Sequence, residues 1–320
     1  MSHIRRQSLL SSAIVYFGFA LGFLNTYLFT REGSGFSSAE YGLVNLFIAL
    51  ANIMLAFANL GMNTYIGKFH PYYKDHLPAK QNDQLTIALA ISTMGFLLVA
   101  GSGWIFKDLV IRKFGTNSPQ LLTYYRWLFP FGMGLTLFSI LETYGWMLKH
   151  SVLTNYLREV QFRLFVTVLI VLFGAGIIYD FDLFIKLYSF TYLLLAGTLV
   201  VFLMARKQFH LTITLSRVTR KFRKKMITFV SFIWGGSLLF SISQFFDSLV
   251  IAAVLKNGLA LTGIYSLAQN ISSLIQAPQR GILSASVGPL SQAWKDKNLE
   301  KIKTIYHRSS INQIVFSIGM

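Results

Sequence analysis

Three ionisable residues, Glu142, Asp247 and Arg280, fall inside long stretches of apolar and small side chains. A charge in an apolar medium is costly unless it is paired, so each marks an ion pair, a wet cavity or a function. Arg280 stands two residues after Pro278, Asp247 three residues after Gln244, and Glu142 two before Tyr144. A guanidinium presents a planar fork of donors that matches phosphate and carboxylate oxygens.

Neutral polar residues are patterned around them. Asn45, Ala49, Asn52, Ala56, Asn59 and Asn63 recur at spacings of three and four. Ser266, Asn270, Ser273, Ala277, Arg280 and Ser284 repeat that rhythm. Such spacing places each set on one stripe of a helix. Small-residue stripes also serve helix packing in membranes. Four asparagines or an arginine fit a wet cavity better than a dry contact. Pro278 removes a backbone donor and clashes with the carbonyl of Leu274, which predicts a kink near Arg280.

Signatures of enzymatic chemistry are missing. There is no H-E-x-x-H, no P-loop, no G-x-S-x-G and no histidine cluster at metal-ligand spacing. The lack of cysteine removes disulfides, thiolate metal sites and thiol nucleophiles. His70 and His76, near Tyr72 and Tyr73, read as solvated side chains. Asp180 and Asp182 have no third ligand nearby and read as helix-terminating residues. No cofactor, metal or catalytic residue is called for.

The elements that must hold these residues are membrane spans. Hydrophobic residues make up 54% of the chain and charged ones only 13%, too few to cover a water-soluble globule of 320 residues. Apolar blocks of about 20 residues suit bilayer-crossing helices. They lie near 9–29, 41–67, 85–106, 127–148, 160–179, 187–205, 226–255 and 259–290, and a ninth starts near Ile311 and is cut short at Met320. The expectation is therefore an all-α polytopic protein of about eight full spans, the N-terminal part of a longer chain, with one wall of its cavity largely missing. The apolar run after Met1–Arg6 is too long for a signal peptide and reads as a retained first helix.

Charge orients the spans. With the N-terminus inside, the inner segments collect 21 Lys and Arg and the outer ones 7, with Arg280 left inside a span. That asymmetry follows the positive-inside rule and accounts for the net charge of +17 without nucleic acid, the charges facing membrane lipids. The densest basic run, Arg217 to Lys225, reads either as a short helix on the inner leaflet or as a solvated topology determinant. It divides a six-helix lobe (1–205) and a basic linker (206–225) from an incomplete second lobe (226–320). The segment from Trp294 to Arg308 reads as a surface amphipathic stretch.

Several segments carry a family likeness: Glu40-Tyr41-Gly42, Tyr156 to Leu164, Gly263 to Asn270, Ala277-Pro278-Gln279-Arg280, Pro289 with Trp294, and Ile305 to Ser310. Together they resemble the Wzx-type polysaccharide (O-antigen) flippases of the multidrug/oligosaccharidyl-lipid/polysaccharide (MOP) exporter superfamily. The resemblance implies two six-helix lobes around a V-shaped cavity that opens alternately to each side. It implies transport of undecaprenyl-diphosphate-linked oligosaccharide across a bacterial plasma membrane, with a cytoplasmic N-terminus and polysaccharide-assembly proteins as partners.

Within that frame Arg280 is the expected diphosphate ligand, with Arg158 and Arg163 as contacts at the inner mouth. Asn52, Asn59, Gln244, Gln269 and Asn270 would bind the glycan, and Asp247 or Glu142 a coupling proton or Na⁺. A drug/cation antiporter or a lipid II flippase of the same superfamily is the alternative. A membrane-embedded glycan polymerase or ligase would need a long outer loop, and the outer segments here are short.

Overall fold

A computed structural model describes residues 2–273 and 276–318, and every regular element among them is helical. The first half holds α1 (Ser2–Thr30), α2 (Ser38–Ala58), α3 (Met62–His76), α4 (Gln84–Ile105), α5 (Lys107–Phe114), α6 (Pro119–Tyr124) and α7 (Leu128–Met147). Then come α8 (Ser151–Asn155), a π-helical turn (Tyr156–Gln161), α9 (Phe162–Gly174), α10 (Phe181–Ser189) and α11 (Thr191–Ala205). The chain continues as α12 (Arg217–Val254), α13 (Gly258–Ser273), α14 (Ala277–Lys295) and α15 (Leu299–Ile318).

Five stretches among the described residues are long and apolar enough to cross a bilayer outright: Leu10–Thr30, Ser38–Ala58, Ala79–Ile105, Phe181–Ala205 and Arg217–Val254. Each coincides with a predicted span. The other three predicted spans correspond to α7, to α8–π–α9 and to α13–α14. These less apolar helices carry Glu142, Arg158, Arg163 and Arg280.

Contacts at the helix ends group the connecting segments into two sets. At one end Asp75 pairs with Lys295, His150 Nε2 meets Gln208 Oε1 at 2.7 Å, and Asp83 Oδ2 accepts from Ser216 N–H at 2.8 Å. At the other, Asn117 and Ser118 donate to the carbonyls of Ala253 and Ala252 at 2.9 and 2.7 Å. There Phe36 also stacks on Phe173 at 4.2 Å. Segments assigned to one side thus meet at one end.

Several elements differ from the sequence reading. The predicted second span is broken: α2 ends at Ala58, Leu60 (φ 46°) and Gly61 (φ 75°) turn left-handed, and α3 resumes at Met62. The break frees the Ala56 carbonyl, which accepts from Trp234 Nε1 of α12 at 2.8 Å. Arg217–Lys225 is no separate surface helix, because it forms the opening turns of α12. Thirty-eight residues span about 57 Å, against about 30 Å of hydrocarbon, so the basic turns extend past the bilayer core.

Trp294–Arg308 is likewise divided, by a turn between α14 and α15. Pro278 occupies the first turn of α14, where a missing N–H costs least. The predicted clash at Leu274 and the side chains of Ala277 and Pro278 lie outside the described residues. Asp180 caps α10, accepting from Leu183 N–H at 2.9 Å, and Asp182 pairs with Lys186.

His70 is buried rather than solvated. Its Nδ1 meets Gln84 Oε1 at 2.9 Å, and its Nε2 has no partner among the described residues. Burial pushes its pKa down to about 4 from 6.5. In the window between those values the unfolded chain takes up a proton that the fold excludes, so stability must fall as pH drops from 6.5 toward 4. Thermal unfolding of wild type and His70→Gln across that window should show this loss in wild type alone. An equal loss in both would refute the assignment.

Candidate functional site

α13 packs along α2 and α14 along α1, and a cavity of about 640 Å³ opens between them, α7, the α8–π–α9 helix, α10–α11 and α12. Its charged lining comes from three sources: Glu142 on α7, Arg158, Glu159 and Arg163 on the π turn and α9, and Arg280 on α14. The π turn explains why Arg158 and Glu159, neighbours in sequence, both line the cavity. Its i→i+5 bonding widens the helix and shifts the side-chain register, a feature common at functional sites. Asn155, Phe162 and Val166 line the same wall.

The charges form two ion-paired groups that line one cavity. Arg158 Nη1 donates to Glu142 Oε2 at 2.7 Å, and Arg163 Nη1 donates to Glu159 Oε2 at 2.6 Å and to the Glu159 carbonyl at 2.7 Å. Arg280 Nη1 reaches Glu159 Oε1 at 3.1 Å, from a helix 121 residues further along the chain. The ring of Phe19 lies 5.2 Å from the Arg163 guanidinium and 5.6 Å from that of Arg280, within cation–π range.

Exposure is sorted by sign. The carboxylates are 2% and 4% exposed, whereas the side chains of Arg158 and Arg280 are 40% and 42% exposed. Three cations against two anions leave an excess positive charge; Arg163 is the least exposed of the three at 19%, so Arg158 and Arg280 present most of it to the cavity.

Neutral polar groups surround this cluster. Asn45, Asn52, Gln244, Gln269 and Asn270 all line the cavity, with Ser266 and Ser273. Asn52 Nδ2 donates back to the Ile48 carbonyl at 2.7 Å, which holds the amide in place. Among the described residues nothing bonds the side-chain amides of Gln244, Gln269 and Asn270, which leaves them available to a bound molecule.

Of the residues expected from sequence, Arg280, Asn52, Gln244, Gln269, Asn270, Arg158, Arg163 and Glu142 are gathered at this cavity. Arg158 and Arg163 lie within a helix that starts at Ser151 rather than near 160. Asn59 is not among the lining residues. It closes α2 in helical conformation, beyond the cavity lining, and its Oδ1 accepts from Asn63 N–H at 3.1 Å across the break. Asp247 is also outside: it is exposed and takes the Tyr265 hydroxyl at 2.8 Å, while Ser248 turns inward beside Gln244. Four residues return a helix nearer to the same face than three do. Sequence reasoning missed Glu159, although its i,i+4 spacing to Arg163 was a usable signal.

The family model for polysaccharide biosynthesis proteins matches residues 4–293. The chain belongs to that family. Its fold is similar to two solved MATE structures. One is a MATE in complex with MaL6, at TM-score 0.68 and 17% identity, covering 99% of this chain and 70% of that one. The other is a MATE in the straight conformation, at TM-score 0.65, 19% identity and the same coverage. No curated protein matches the chain significantly. Family and fold both lie within the MOP superfamily, as the sequence resemblance implied, and the protein is a multi-pass membrane protein.

Proposed function

We propose that this protein is a flippase carrying lipid-linked oligosaccharide, on an undecaprenyl diphosphate carrier, across the bacterial plasma membrane by alternating access. The observation that carries this reading is the sorted cluster: guanidinium groups facing a cavity with their carboxylates buried behind them. A diphosphate needs fixed cationic donors, and the amides of Asn52, Gln244, Gln269 and Asn270 suit glycan hydroxyls. A cavity of this charge disfavours a cationic drug as substrate. Residues 1–205 would form the first lobe, 206–225 the inner connection and 226–320 part of the second lobe, with the N-terminus cytoplasmic.

Glu142 is the carboxylate placed to couple an ion. Its Oε1 is buried without a hydrogen bond, and an incoming proton or Na⁺ would compete with Arg158 for it. Purified protein in liposomes should move a labelled lipid-linked oligosaccharide between leaflets faster than empty liposomes. Uptake of organic cations with no lipid translocation would sink the proposal.

A further inference from the structure

The chain between α11 and α12 is an irregular strap, bent at Thr214 and pinned at Thr212 and Ser216. Thr212 N–H donates to Thr86 Oγ1 at 2.9 Å, and Asp83 Oδ2 accepts from Ser216 N–H and from the Thr219 hydroxyl, each at 2.8 Å. These bonds fix the strap to the start of α4. Leu211, Ile213 and Leu215 alternate with the threonines and point away, at 58%, 96% and 53% exposure. Directly after them Arg217, Arg220, Lys221, Arg223, Lys224 and Lys225 open α12, all exposed. No acidic residue occurs between Asp182 and Asp247, so nothing within this stretch neutralises them.

We infer that this strap and the basic turns of α12 form an interfacial anchor for acidic phospholipid. The three aliphatic side chains enter the inner leaflet at headgroup depth, and the cations bind lipid phosphates around them. Charge complementarity selects anionic lipid, and three exposed aliphatic side chains on a pinned strap select a lipid surface over water. The anchor would set the height of α12, whose Trp234 closes the α2–α3 break. It is independent of what the cavity transports.

Because the sequence has no cysteine, Ile213→Cys provides a unique attachment point for an environment-sensitive fluorophore. The labelled protein is reconstituted in vesicles of neutral phosphatidylcholine and in vesicles also containing phosphatidylglycerol. A blue-shifted emission is expected in the anionic vesicles and a water-like one in the neutral vesicles. Raising salt to about 1 M, where the Debye length is about 3 Å, should reverse the shift. Arg223→Gln, Lys224→Gln and Lys225→Gln together should weaken it. If that variant fails to fold, the salt titration tests the same point on unaltered charges.

A label at Glu32→Cys, at the opposite end, should not respond to lipid charge. Water-like emission at position 213 in both vesicle types would overturn the proposal and indicate a protein partner. An equal, salt-independent blue shift in both would overturn the selectivity for acidic lipid.

Discussion

Alanine at position 280 is expected to abolish lipid-linked oligosaccharide translocation in liposomes while leaving the amount of protein in the membrane unchanged. Arg280 makes one contact within the cluster, 3.1 Å to Glu159, and its side chain is 42% exposed in the cavity. Its removal leaves Glu159 paired with Arg163 at 2.6 Å, so no buried carboxylate is stranded. What is lost is a charged donor to substrate, of about 1.5–3 kcal/mol, or roughly 10- to 150-fold in binding. Arg280→Lys keeps the charge but not the fork and should retain part of the activity.

Arg158→Ala should behave differently. It strands Glu142, which is 2% exposed, and breaking a buried pair costs about 3–5 kcal/mol. Protein level should fall with activity in that variant. Full translocation by Arg280→Ala would remove Arg280 from the site.

The second large effect is expected at Gly42, where α2 and α13 cross. A Cβ built there lies 1.7 Å from the Leu259 carbonyl oxygen and 3.2 Å from Gly263 N. Ordinary contact begins near 3.4 Å, and both obstacles are backbone that no rotamer change relieves. Gly42→Ala must therefore push the two helices apart at their outer ends. Overpacking of this kind costs about 1–3 kcal/mol, and it shifts α2 and α13, two of the helices that line the cavity. Lower thermal stability in detergent and loss of translocation are the expected readings. Wild-type values for both would show that the crossing is not tightly packed.

The membrane class and the spans were legible because hydropathy over about 20 residues is a local property that any bilayer imposes. The polar stripes were partly legible. Asn45 and Asn52 line the cavity as the helical period predicts, whereas Asn59, still helical at the end of α2, lies beyond the lining, and the left-handed turn at Leu60 and Gly61 breaks the period after it.

Arg280 stood out in the sequence as a charge that hydrocarbon cannot tolerate alone. Its partner did not, since Glu159 lies 121 residues away and beside Arg158, where it reads as part of a loop. Asp247 stood out equally, yet packing turned it out of the cavity toward Tyr265. Local composition thus determined that charges lie within the bilayer-crossing helices. Only tertiary structure decided which of them meet, because a π turn and the packing of α14 on α1 set the directions of Glu159 and Arg280, and neither leaves a periodic trace in the chain.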